Sequence, residues 1–288
     1  MTVSAVIFII WRITGDNARI ELFFRYQGSL FFVACAAAEV LLAWGAFRQF
    51  SDAEPMRAAW MLITFASFYR FAGYLLSQIL NSQSYLNPLY IVLGARGGEL
   101  YGNCRSIGLL IGGPLSMAML AIGLFLILRI LRRLGIIARL HLVDFILIAI
   151  VAAFTLRQIC EIVQWTYVQP PEDIYKALGW ISDPLLCILL FEAIVIRRSA
   201  AETGWGLLSK VWGAFSMGIF LTSLGNVGIW ATAHDYLPWP YSSITWYVWF
   251  LASAAYALGP AYQVEAYRRA YSEARFISAT PPPPTSIS

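Results

Sequence analysis

Seven apolar runs, separated by short polar or charged stretches, organise this chain. They cover residues 29–50, 56–80, 106–131, 142–167, 180–196, 207–232 and 241–262. A helix needs about 20 mostly apolar residues to cross the hydrocarbon core of a bilayer, and the runs are of that order. The pattern predicts an all-α, polytopic membrane protein: a seven-transmembrane helix bundle over residues 29–268. Residues 1–28 are expected to form a peripheral or interfacial segment. Their apolar stretch in "MTVSAVIFIIWRITGD" is too short to span and lacks the basic start of a cleaved signal peptide. Residues 269–288 end in "ATPPPPTSIS", a composition expected to form a mobile tail.

Polar residues interrupt the runs at helical spacing. Arg157, Glu161 and Gln164 share one face of the fourth run, and Arg70, Tyr74, Ser77 and Asn81 share one face of the second. Ser216, Ser223 and Asn226 do so on the sixth. A charge at the bilayer centre costs about 2.5–3.5 kcal/mol on insertion scales, so such residues turn toward protein or water and pair. With the N-terminus outside, Arg70, Gln78, Arg157, Glu161, Asp183 and Asn226 fall in outer halves of their helices, and Glu39 lies nearer the middle. The expected site is therefore an outward-facing polar pocket for a small ligand, built from Glu39, Arg70, Tyr74, Gln78, Arg157, Glu161, Asp183 and Asn226. The same residues would serve equally as a network that only holds the helices together.

Charge between the runs sets the orientation. One side collects Arg48, Arg57, Arg129, Arg132, Arg133, Arg139, Arg197, Arg198, Lys210, Arg268, Arg269 and Arg275. The other has Arg12, Arg19, Arg25, Arg96, Arg105 and Lys176. Lysine and arginine favour the cytoplasmic side, which places the N-terminus outside and the C-terminus in the cytoplasm, in a plasma membrane or bacterial inner membrane. The loop "LRILRRLGIIARLH" and the segment "YRRAYSEAR" then offer Arg129, Arg132, Arg133, Arg268 and Arg269 to a cytoplasmic or membrane partner, or to anionic lipid. Trp44, Trp60, Trp205 and Trp212 fall near inner ends, and Trp165, Trp180, Trp230, Trp239 and Trp246 near outer ends. They read as interfacial anchors.

Composition agrees with a bilayer and narrows the chemistry. Residues are 59% hydrophobic and 12% charged, about half the charge of a soluble domain, and the mean hydropathy is +0.66. The net charge of +4 contains no block that fits nucleic acid. Cys35, Cys104, Cys160 and Cys187 show no metal-ligand spacing and read as small packing residues. The two histidines, His141 and His234, lie on opposite sides of the expected membrane, so no haem or zinc site and no catalytic triad is expected.

Seven helices with an outer N-terminus is also the topology of microbial rhodopsins and G-protein-coupled receptors. The residues that would carry either resemblance are missing. The seventh run has no lysine for retinal, the third ends "LRILRRLG" without an acid–arginine pair, and "LGPAYQVEAY" lacks an asparagine–proline step. No cofactor is expected. Helix packing is foreshadowed by Gly108, Gly112 and Ser116, a small-residue face, and by a kink at Gly113–Pro114. A faint internal echo joins "SDAE" at Ser51 to "SAAE" at Ser199, with Glu39 and Glu192 before and Trp60 and Trp212 after. It fits a three-plus-one-plus-three helix repeat, the helix count of the SWEET sugar transporters, although their proline–glutamine motif is absent. The leading expectation is a non-enzymatic receptor or sensor with its outward-facing pocket for a small ligand; the alternatives are a small-solute transporter and an accessory or scaffold subunit of a larger membrane complex.

Overall fold

Local chemistry sets the ends of the helices. In a computed structural model, described here for residues 15, 29–76, 107–168, 181–204, 206–233, 236 and 243–279, each of the seven runs contains a helix. They are α1 (Ser29–Phe47), α2 (Pro55–Tyr74), α3 (Ser116–Arg133), α4 (Leu142–Val168), α5 (Ser182–Glu202), α6 (Gly206–Ala233) and α7 (Ser243–Ala279). Pro55 opens α2, where its missing N–H costs nothing. Just before it, Glu54 accepts hydrogen bonds from the amide and hydroxyl of Ser51. Gly135, at φ 70°, ends α3. The amide of Ile136 bonds the Leu131 carbonyl and that of Gly135 the Arg132 carbonyl, a Schellman stop.

The expected kink in the third run is a π turn, Ile111–Leu115, which contains Pro114 and leads into α3. α7 continues well past residue 262, because Glu265 pairs with Arg268 and Arg269 on its exposed face and carries the helix into the expected tail.

Large apolar side chains cover much of the surface, and several charges are inside. Leu41, Phe65, Phe68, Phe125, Leu156, Met217 and Leu258 are exposed, while Glu39, Arg70, Asp183 and Glu192 are buried. This inverts the rule for water-soluble proteins. Among the described residues, four helical segments are long and apolar enough to cross a membrane: Leu30–Phe47, Ile107–Arg133, Leu142–Glu161 and Gly206–Gly228. The chain is an all-helical membrane protein. α2, α5 and α7 do not reach that measure, because arginines, acids, serines and tyrosines dilute their apolar runs.

Six helices close a ring. α1 packs on α2, α2 on α3, α3 on α5, α5 on α6, α6 on α7, and α7 returns to α1. α4 lies outside the ring, packed mainly on α5 and touching α6. Two units of three consecutive helices, α1–α3 and α5–α7, thus flank a helix that belongs to neither.

The units repeat in their packing. On α2, Ile63 lies against Gly123 of α3, and Gly73 lies against Gly112. At one common offset from Ile63 and Gly73, Phe215 and Gly225 of α6 lie against Gly259 and Trp249 of α7, although these two partners do not keep that offset from Gly123 and Gly112. A Cβ on Gly73 would overlap the Gly112 backbone, and a Cβ on Gly112 would come within 3.1 Å of the Gly73 Cα. The expected small-residue face is therefore a site of close helix approach. The same offset relates Trp60 to Trp212, and their rings meet, 6.0 Å apart, in the buried core. These two tryptophans are core residues; the sequence reading as interfacial anchors fails for them because the ring closes around them.

Candidate functional site

The polar residues singled out by the sequence gather in two regions. The first lies between α1, α2 and α7. Arg70 Nη1 donates to Glu39 Oε1 at 2.8 Å and Oε2 at 2.9 Å, and Ser67 Oγ donates to Oε1 at 2.9 Å. The Arg70 guanidinium lies 3.8 Å from the centroid of the Tyr256 ring. Glu39 is 2% exposed and Arg70 3%. Each charge has a partner of opposite sign and a second polar or aromatic contact, the condition for burying a pair without a net penalty. Tyr74, one turn after Arg70, packs on Phe32 of α1 with ring centroids 5.2 Å apart. One clamp therefore ties α1, α2 and α7.

The second region joins α4, α5 and α6. Asn226 Nδ2 donates to Asp183 Oδ1 at 2.6 Å, and Thr155 Oγ1 donates to the Asp183 carbonyl at 3.3 Å. One turn beyond Asn226 on α6, Trp230 Nε1 donates to Glu161 Oε2 at 2.7 Å. Arg157 pairs with Glu161 Oε1 at 3.1 Å and covers the Trp230 ring, its guanidinium 4.4 Å from the centroid. The Arg157 side chain is 54% exposed and that of Glu161 26%. This pair sits on the helix outside the ring and faces α6.

Glu39, Arg70 and Tyr74 thus come together, as do Arg157, Glu161, Asp183 and Asn226. Gln78 lies outside the described residues. The sequence did not place Ser67, Tyr256 or Thr155 in the polar site, and it read Trp230 only as an interfacial anchor. Ser67 shares the helical face of Arg70, so spacing alone would have found it. Tyr256 and Trp230 gave no such signal, because an aromatic residue in an apolar run looks the same whether it meets lipid or a cation.

Glu192 stands apart. It is buried on α5, and its Oε2 has no hydrogen-bond partner in the structure. A carboxylate ion in that setting would be costly, whereas the neutral acid is tolerated.

At the opposite end of α4 the contacts are again polar. Arg198 of α5 binds both oxygens of Asp144, at 2.8 and 2.9 Å, and Asp144 also accepts the His141 amide at 2.9 Å. Ser199 accepts the Ala138 amide at 3.1 Å. The loop between α3 and α4 is thereby fixed to α5. Arg129, Arg132, Arg133 and Arg139 project from this region into solvent, with Lys210, Arg268 and Arg269 exposed on neighbouring elements. The Glu265 carboxyl is held below its ordinary range, first by its hydrogen bond from Arg269.

No family model, curated protein or solved structure matches this chain.

Proposed function

We propose that the chain is a small-solute transporter of seven membrane-spanning helices, with the N-terminus outside and the C-terminus in the cytoplasm. The single observation that carries this reading is the meeting of Trp60 and Trp212, which occupy equivalent positions in two three-helix units. Parallel repeats related by an axis along the membrane normal are one of the plans on which transporters are built, and the solute site lies between the repeats. Here the two tryptophans, with Ile63 and Phe215, form a dry plug toward the predicted inner ends of α2 and α6. The polar groups lie on the predicted outer side of that plug. Such a plug would close the inner side of a passage through a plasma or bacterial inner membrane. Movement of one unit against the other would open the inner side.

Each unit also has its own polar fastening between its first and second helices: Glu39 with Arg70 in one, and Asp183 with Asn226 in the other.

The test is flux. Purified protein in liposomes should accelerate the osmotic swelling caused by uptake of at least one small polar solute from a panel of sugars, amino acids and organic cations. Liposomes that behave like empty controls for the whole panel would remove the transporter reading.

A receptor or sensor is the second reading, and the position of α4 favours it. The helix is fastened by polar contacts near both ends, to Trp230 at one and to Arg198 at the other. A ligand that altered the first set would shift the basic loop held by the second, and with it the contact that Arg129, Arg132 and Arg133 offer to a partner. A ligand response without flux would select this reading. Stoichiometric co-purification with a larger complex, without either, would select the accessory-subunit reading.

A further inference from the structure

The cluster around Trp230 has the composition of a cation site. The indole ring presents its negative face to a guanidinium 4.4 Å from its centroid. Two more aromatic rings adjoin Trp230: Phe154 edge-on at 6.4 Å, and Tyr236 tilted at 5.6 Å. The amide of Tyr236 bonds the Ala231 carbonyl, which turns the chain back toward the indole at the end of α6. Glu161 supplies the counter-charge and is itself oriented by the Trp230 N–H at 2.7 Å. One turn away on α6, Asn226 holds Asp183, a second carboxylate.

Arg157 is the cation now bound, but it is loosely held. Its pair with Glu161 runs from arginine to glutamate along one helix, the weaker order for an ion pair four residues apart. More than half of its side chain is exposed. An anionic ligand would have to draw Arg157 away from both Glu161 and the ring. A cationic ligand needs only that Arg157 swing outward. We propose that Trp230, Phe154, Tyr236 and Glu161 form a binding site for a small organic monocation of the guanidinium or methylated-ammonium type, in which Arg157 is a tethered occupant that the ligand displaces. The site lies on α4 and α6, outside the passage proposed between the two units. Its fate is therefore independent of the flux experiment.

The test uses methylguanidinium and tetramethylammonium as probes, with acetate, inorganic phosphate and sodium chloride at matched ionic strength as controls. The readout is the unfolding temperature of the full chain in a maltoside detergent, since a phosphocholine detergent would itself carry the probe group. Arg157→Ala vacates the site and should bind both cations about tenfold more tightly than the wild-type chain. Adding Trp230→Leu to that variant should abolish the response. If Arg157→Ala does not fold, Arg157→Gln takes its place, because glutamine keeps the length of the side chain and loses the charge. The proposal is overturned if the folded variant binds the cations no better than wild type. It is equally overturned if the response survives Trp230→Leu, or if phosphate or acetate stabilises the wild-type chain and the cations do not.

Discussion

Glu39 and Glu161 both face an arginine, and burial separates their physics. The Glu39–Arg70 pair is almost sealed from solvent. Replacing Arg70 by methionine leaves an uncompensated charge, and the expected cost is about 3–5 kcal/mol. The double change of Arg70→Met with Glu39→Leu removes both charges, and it should recover nearly all of that loss or stabilise the chain by about 1–4 kcal/mol. Thermal unfolding in detergent separates these outcomes. A double variant as unstable as the single one would mean that Ser67 and Tyr256, rather than the opposite charges, hold the clamp. Arg157→Gln belongs to the other regime. An exposed pair four residues apart contributes about 0.2–0.5 kcal/mol, and an exposed cation–π contact about 0.5–1 kcal/mol. The variant should therefore unfold within about 1.5 kcal/mol of wild type, and a larger loss would place Arg157 among the structural residues.

At the scale of the element, helix approach depends on missing side chains. Gly73→Leu would drive α2 and α3 apart at the contact with Gly112 and should cost at least about 1–3 kcal/mol. Gly206→Ala is the matched control: nothing lies within 4 Å of the added carbon, and the backbone is not left-handed. It should unfold within about 0.5 kcal/mol of wild type. Equal effects of the two substitutions in a melting experiment would argue that α2 and α3 do not meet at this point. The attachment of α4 is tested by Asp144→Asn. Asparagine cannot offer two carboxylate oxygens to Arg198, so the α3–α4 loop should loosen. Limited proteolysis after arginine should then cut at Arg133 or Arg139 several-fold faster than in wild type, while cleavage after Arg48 stays unchanged.

For the whole molecule, topology is the open question that a labelling experiment answers. In a background with the four native cysteines replaced by serine, Tyr236→Cys should react with a membrane-impermeant thiol reagent added outside intact cells. Arg133→Cys should react only after the membrane is opened. Reaction of both from one side would break the alternation that seven crossings require. The same scale holds the repeat. The "SDAE" and "SAAE" echo marks different structures: Ser51 bonds Glu54 ahead of α2, whereas Ser199 is buried within α5 and receives the Ala138 amide. The structural repeat rests on Trp60, Ile63 and Gly73 against Trp212, Phe215 and Gly225, of which the sequence reading had noticed only the tryptophans.

The sequence alone determined that the chain is helical and belongs in a membrane, because apolar run length and backbone hydrogen bonding leave little else possible in lipid. It also determined that Glu39, Arg70, Asp183, Glu161 and Arg157 would need partners, because an unpaired charge in an apolar run is expensive. Spacing along one helix located Arg157 beside Glu161 and placed Gly108 and Gly112 on one face. Only the tertiary structure decided which helices meet. No local rule places α4 outside a ring of the other six, since its outward face and theirs are equally apolar. The pairing of Arg70 with Glu39 likewise depends on α1 lying beside α2. Asp183 reaches Asn226, and Trp230 reaches Arg157, only because α4, α5 and α6 converge. Between helices in lipid, complementarity of shape and a few polar contacts set the neighbours, and those are properties of pairs of surfaces that a single run of residues does not contain.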